Sequence, residues 1–201
     1  MLFRSFIAIA PDLESRVRGG PNTFEMTGDS ARKLIGGVST AERNTGITAA
    51  ANYAMSQPAA APKYAVIGYC WGGGTVWGYA VNGGIKGFSG GVAYYGLPPM
   101  SGAVPNGDSL KKIQTPILML GGAKDTRISA SMPAVDSAMK ALAKPYEAKN
   151  YEGAIHGFLR AQDDPKLPPA TPDPAEGAAN LAATKDAWPR TVAFLKKNLG
   201  M

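Results

Sequence analysis

The stretch Tyr64-Ala65-Val66-Ile67-Gly68-Tyr69-Cys70-Trp71-Gly72-Gly73-Gly74 constrains this chain more than any other. A short apolar run ends there in Gly-x-Cys-x-Gly and passes into a helical pattern of small residues. That order predicts a strand turning sharply into a helix, with one side chain held at the apex. Gly68 and Gly72, two before and two after the apex, carry no Cβ, so strand and helix can approach closely around it. The apex residue, Cys70, is the only cysteine in the chain. A glycine-rich turn of this kind can also cradle phosphate. The P-loop, however, needs a lysine after its glycines, and none follows Gly72-Gly73-Gly74. The dinucleotide fingerprint is absent too, since Tyr69 to Trp71 intervene between the glycines. Cys70 is therefore read as a nucleophile.

A thiol nucleophile needs a base, and neutral imidazole is the usual one. His156 is the only histidine, and it lies in Tyr151-Glu152-Gly153-Ala154-Ile155-His156-Gly157-Phe158, directly after a predicted strand. Asp125, in Gly121-Gly122-Ala123-Lys124-Asp125, also lies just past a strand end and is placed to hold the imidazole in the right tautomer. Asp136 falls in mid-helix and Asp108 in a distant loop, so neither competes. Each signal is weak alone: a lone cysteine is usually a small buried hydrophobe, and an aspartate after Gly-Gly is often a turn former. Together they fall after three separate strands in the order nucleophile, acid, histidine, which is the order of α/β-hydrolases.

The rest of the chain alternates in the same way. Ser5 to Ala10 reads as a strand, and residues 14–30 as a long surface loop containing Arg18-Gly19-Gly20-Pro21-Asn22. Ser39 to Ser56 is helical, with Ile47, Ala50, Ala51 and Ala54 on one side and a capping box from Ser39 and Glu42. Strands follow at Tyr64–Ile67, Lys86–Tyr94, Pro116–Leu120 and Tyr146–Tyr151. Leu97–Asp108 and Asp163–Pro174 read as loops, Ser131–Ala143 and Ala175–Leu199 as helices, the last with a kink at Pro189. Strands alternating with helices predict an α/β fold, a mostly parallel sheet with helices on both faces, as one domain over residues 1–201. Ligands in such sheets bind beyond the carboxyl ends of the strands.

Composition narrows the function. Apolar residues make up 45% and charged residues 18%, as in a soluble globular protein. No apolar run approaches the ~20 residues of a membrane helix, and Met1–Pro11 reads as a strand entering a loop rather than a signal peptide. The formal charge of +6 is scattered, with no basic patch interleaved with aromatics, which argues against nucleic acid. One cysteine excludes an internal disulfide, and with one histidine it cannot assemble a zinc site without a carboxylate cluster that the sequence lacks. No cofactor or metal is expected. The partner is a small-molecule substrate, a monomer is expected, and cytoplasm is the default compartment.

The chain resembles the dienelactone hydrolase (carboxymethylenebutenolidase) family, a cysteine-nucleophile branch of the α/β-hydrolases. The matching residues are Ala10-Pro11-Asp12-Leu13, Gly68-Tyr69-Cys70-Trp71-Gly72-Gly73, Tyr94-Tyr95-Gly96, Gly121-Gly122-Ala123-Lys124-Asp125 and Gly153-Ala154-Ile155-His156-Gly157-Phe158. The resemblance implies hydrolysis of a small carboxylate-bearing lactone or ester through a thioester on Cys70, with the Trp71 amide as one oxyanion donor. It also implies a substrate-carboxylate clamp by two arginines, matched by Arg16 and Arg160. A broad esterase without lactone preference is the alternative within the same chemistry. The family's His-Glu-x-x-Gly stretch, which carries the second oxyanion donor and a glutamate that tunes the thiol, has no counterpart. By that likeness the chain begins at the family's fourth strand, leaving either a gap beside Cys70 or a direct pairing of Phe6–Ala10 with Tyr64–Ile67. An inactive fragment with half an oxyanion hole, or a lost segment bearing a secretion signal, would follow from the same departure. Gly157 replaces a serine common in the family.

Overall fold

In the computed structural model, residues 6–20, 28–163 and 171–201 are described. Four predicted strands form one sheet: β1 (Tyr64–Tyr69), β2 (Phe88–Tyr94), and, after a small hairpin of β3 (Met100–Ser101) and β4 (Val104–Pro105), β5 (Ile117–Gly122) and β6 (Tyr146–Tyr151). Their order is β1-β2-β5-β6 and all three pairings are parallel. The carboxyl ends of the strands therefore share one edge, and every loop that follows a strand opens there.

The helices are α1 (Ser15–Arg18), α2 (Gly28–Gly37), α3 (Thr40–Met55), α4 (Trp71–Val81), α5 (Gly107–Lys111), α6 (Thr126–Ala141) and α7 (Pro174–Leu199). Consecutive residues of a strand point to opposite faces, and two neighbours on β2 show which helix lies where. A Cβ on Gly91 would meet Val76 of α4, and one on Gly90 would meet Phe194 of α7. Covered on both sides, β5 is buried at every residue, as Ile-Leu-Met-Leu in the middle of a parallel sheet requires. The main core gathers Val76, Trp77, Val92, Tyr94, Leu118, Leu120, Ile128, Val135, Met139, Phe158 and Phe194. Met132, Val135 and Met139 of α6 and Leu195 of α7 are buried, and Leu142 and Val192 partly so. A smaller cluster seats Ile47 and Ala51 of α3 against Tyr64 and Tyr79, whose hydroxyls lie 2.8 Å apart.

The helix α3 begins where its capping box places it. Ser39 Oγ accepts the Glu42 N–H at 3.2 Å, and the Glu42 carboxylate accepts the Ser39 N–H at 2.9 Å. Ser39→Ala is expected to cost about 1 kcal/mol. For a domain this size that is a fall of about 2–4 °C in thermal midpoint, to be read by circular dichroism.

Three readings are corrected. Residues 6–10 form no strand (Ser5 lies outside the described residues). Ile7 and Ile9 are 46% and 36% exposed, and only Phe6 packs on the core. An apolar run becomes a strand only when an edge pairs with it, and this segment does not pair with β1. Among the described residues β1 is hydrogen-bonded on one side alone, to β2. Second, the loop predicted over 14–30 contains α1 and the start of α2. The Asp12 carboxylate organises α1 by accepting the Glu14 and Ser15 N–H groups at 3.0 Å each and pairing with Arg18 at 2.7 Å. Residues 21–27 of that loop, and 164–170 of the loop predicted over 163–174, lie outside the described residues. Third, Leu97–Asp108 is not wholly irregular: Gly102 turns β3 into β4 at φ 64°, and Asn106 caps α5 by accepting the Ser109 N–H at 2.8 Å. Among the described residues no helix is long and apolar enough to cross a membrane.

Candidate active site

Cys70 sits between the end of β1 and the first residue of α4, with φ 56° and ψ −115°. A residue with a Cβ pays about 1–3 kcal/mol to stay in so sparsely populated a region. Its surroundings leave the backbone no other course. The Cys70 N–H donates to Tyr94 O at 3.0 Å, and Cys70 O accepts the Gly73 N–H at 3.0 Å. A Cβ on Gly68 would stand 2.0 Å from Gly72 O, and one on Gly96 would stand 2.3 Å from the Gly73 carbonyl carbon. Strand, first helical turn and the loop after β2 thus interlock through backbone contact. Gly72 is different: a Cβ there meets nothing within 4 Å, so the close approach inferred for it from the motif is not what the fold needs. The thiol is exposed. No side chain caps α4, and the Trp71 N–H has no partner among the described residues.

Asp125 follows β5 as the N-cap of α6. That helix begins five residues before the predicted Ser131, and Pro133 lies inside it. Oδ1 of Asp125 accepts the Ile128 N–H at 3.4 Å. Oδ2 lies 2.5 Å from His156 Nδ1. The Asp125 side chain is 9% exposed and that of His156 38%, so the acid is sheltered while the imidazole faces the solvent edge. The loop carrying His156 is stitched to its neighbours: Lys124 N–H donates to Ala154 O at 2.9 Å, and Asn180 Oδ1 of α7 accepts the Ile155 N–H at 3.0 Å. Asn180 is fully buried. Its role in fixing the residue before His156 was invisible in sequence, where it is one polar residue in an alanine-rich stretch.

Tyr95 joins these parts. Its ring centroid is 5.0 Å from that of His156. Burial pushes its hydroxyl well above the usual tyrosine range; Tyr69, Tyr94 and Cys70 add to the shift, and Arg160 opposes it. His156 therefore packs its ring against a buried tyrosine. Arg160 ends a 3-10 turn over Phe158–Arg160, exposed, with Nε donating to Gly157 O at 3.4 Å. Arg16 is not brought to this cluster. Its side chain is 85% exposed and pairs with Glu42 at 3.5 Å.

A cleft of about 590 Å³ opens from Cys70 along α4, walled by Trp71, Gly74, Gly78 and Leu97 and flanked by Arg43 and Arg127. Neither arginine was singled out in the sequence. Arg43 reaches the cleft through a contact between residues 32 positions apart, Nη1 donating to Thr75 Oγ1 at 3.3 Å. No local pattern reports such a contact. His156 and Asp125 lie outside the wall of this cleft.

A family model for the dienelactone hydrolase family matches residues 3–199. A protein of Salmonella typhimurium, provisionally named a carboxymethylenebutenolidase, is 26% identical over 163 residues, 79% of this chain and 59% of that protein. The chain thus spans less than two thirds of that relative's length. The crystal structure of a provisional dienelactone hydrolase from Klebsiella pneumoniae superposes with a TM-score of 0.67 at 26% identity, covering 93% of this chain and 73% of the other. A dienelactone hydrolase-like promiscuous phosphotriesterase from metagenomic libraries shares the fold, with a TM-score of 0.63 at 22% identity over 86% of this chain and 69% of that one.

Proposed function

The chain belongs to the dienelactone hydrolase family, and on that premise we propose that it hydrolyses a small carboxylate-bearing lactone or ester through Cys70, His156 and Asp125. The observation that carries the reading is the 2.5 Å contact between Asp125 Oδ2 and His156 Nδ1 at the sheet edge where the elbow presents Cys70. With Nδ1 held by the carboxylate, Nε2 is the nitrogen free to exchange a proton.

In the proposed sequence His156 takes the thiol proton and the Cys70 thiolate adds to the substrate carbonyl, forming an S–C bond and an oxyanion. The Trp71 N–H, uncapped at the positive end of α4, is the donor in position for that oxygen. The intermediate collapses by breaking the C–O bond. The leaving alkoxide or enolate takes its proton from His156, and an acyl thioester stays on Cys70. Water then attacks with its proton passing to His156. The acid departs and Cys70 regains its proton. Family resemblance supplies the substrate class, and Arg160, which follows His156 on the same loop and donates to Gly157 O, is the proposed clamp cation.

The test is chemical trapping. Acid quench of the chain mixed with a 4-nitrophenyl ester should show one acyl mass added per chain, mapped to Cys70 and absent after alkylation of the thiol. Hydrolysis that proceeds with an alkylated Cys70, or an adduct on another residue, would overturn the assignment.

A further inference from the structure

The peptide group that joins Ala154 to Ile155 is held at both ends. Its carbonyl accepts the Lys124 N–H at 2.9 Å, and its N–H donates to Asn180 Oδ1 at 3.0 Å. A trans peptide is planar, with C=O and N–H pointing opposite ways, so the two bonds pull from opposite sides and fix its orientation. Lys124 immediately precedes Asp125, and Ile155 immediately precedes His156. One end of the group is thus tied to the loop that carries the acid, and the other to α7. The turn itself does not settle where the imidazole lies. Its flanking residues, Gly153 and Gly157, stand at φ 70° and 75°, and glycine takes up other conformations as readily.

The amide of Asn180 is costly where it stands. The residue is fully buried, and Nδ2 has no hydrogen-bond partner among the described residues. A buried donor left unpaired destabilises a fold. The helix does not need an amide there: Ala178, Ala179, Ala182 and Ala183 flank it in sequence, and an apolar residue would avoid the cost. What the amide supplies is the acceptor for the Ile155 N–H. Thr184, one turn further along α7, ties the same loop beyond His156, with Oγ1 at 2.9 Å from both the Phe158 and the Asn180 carbonyls.

We infer, on the hydrolytic reading above, that Asn180 is a positioning residue for His156: its Oδ1 holds the Ala154–Ile155 peptide in the orientation that brings His156 Nδ1 to Asp125 Oδ2. Without that acceptor the peptide can turn about its own axis and carry the backbone of His156 with it. A misplacement on the order of 1 Å is enough to cost about 10²-fold in rate.

Asn180→Leu has the branched shape of asparagine without the acceptor. It is compared with Thr184→Val and with the unaltered chain on 4-nitrophenyl butyrate. In Asn180→Leu kcat should fall about 10- to 100-fold with KM within about threefold, because the imidazole acts on substrate already bound. In Thr184→Val kcat should stay within about twofold, whatever the loss of stability. Should Asn180→Leu fold poorly, Asn180→Ala, a residue helices favour, is read in the same way. His156 is the only histidine, so nitrogen-15 labelling of histidine gives one set of imidazole signals. The hydrogen-bonded Nδ1 proton should appear at low field in the unaltered chain and in Thr184→Val, and be lost from Asn180→Leu. A proton absent already from the unaltered chain, one retained in Asn180→Leu, or a kcat that falls no further than in Thr184→Val, overturns the inference. The proton signal needs no turnover. Its loss on Asn180→Leu substitution of a chain that never acylates Cys70 would refute the hydrolytic reading and leave the positioning of His156 standing.

Discussion

Cys70→Ala is expected to reduce ester hydrolysis by about 10⁴-fold or more while leaving the fold intact. Loss of a covalent nucleophile removes the acyl-enzyme route altogether, and variants lacking one member of such a triad fall by this order. The fold should survive because the thiol is exposed and makes no core contact. Alanine also meets the same backbone cost at φ 56° as cysteine does. Glycine does not. Cys70→Gly should therefore be as inactive as Cys70→Ala yet more stable by about 1 kcal/mol, since glycine adopts positive φ freely. Thermal unfolding would show this as a midpoint about 2–4 °C above that of the alanine variant. A Cys70→Ala chain that keeps its rate on 4-nitrophenyl butyrate would sink the nucleophile assignment. A Cys70→Gly chain no more stable than Cys70→Ala would show that the elbow stores no strain.

Gly68→Ala should destabilise the chain by about 3 kcal/mol, near the top of the range for overpacking. Its Cβ would stand 2.0 Å from Gly72 O and 2.3 Å from Gly72 C. Those are backbone atoms in the first turn of α4, which no rotamer change can move aside. Relief requires shifting the helix start, and with it Cys70 and the Trp71 amide, so hydrolysis should fall as well. Gly72→Ala is the matched comparison. It lies in the same motif, in a helix, with open space around it, and should be neutral or stabilising by up to about 1 kcal/mol. Urea unfolding of both variants decides the matter. Equal effects at the two glycines would mean that the interlock of β1 with α4 is looser than the contacts imply.

These two glycines mark where legibility stopped. In the sequence they are symmetric about Cys70, and both were assigned the same steric duty. The tertiary arrangement breaks the symmetry, because a Cβ on Gly68 would point into the backbone of the first turn of α4, whereas one on Gly72 would point into open space. The same division runs through the chain. The strand runs Tyr64–Ile67 and Ile117–Leu120 and the helix after Ser39 were readable because their causes are local: apolar runs, a capping box, a glycine-rich elbow. The start of α6 at Thr126 was not, since the capping group is Asp125, which had been reserved for His156; one carboxylate serves both, with one oxygen for each partner. The apolar run Phe6–Ala10 reads as a strand in sequence and forms none, for strand formation depends on a partner edge and not on the run alone.

For the site, the residue types and their order along the chain were enough to place Cys70, Asp125 and His156 on loops that open at one sheet edge. Parallel pairing puts every strand's carboxyl end on the same side, so order after strands translates into proximity. Arginine roles do not translate in this way. Arg16 and Arg160 matched a motif equally well, yet one lies against Glu42 and the other folds back on the loop of His156, donating to Gly157 O. Arg43 carries no motif, yet lies over Trp71. Long cationic side chains find their partners through the packing of helices distant in sequence. Local pattern fixes which backbone turns sharply; only the assembled helices decide which cation lies beside it.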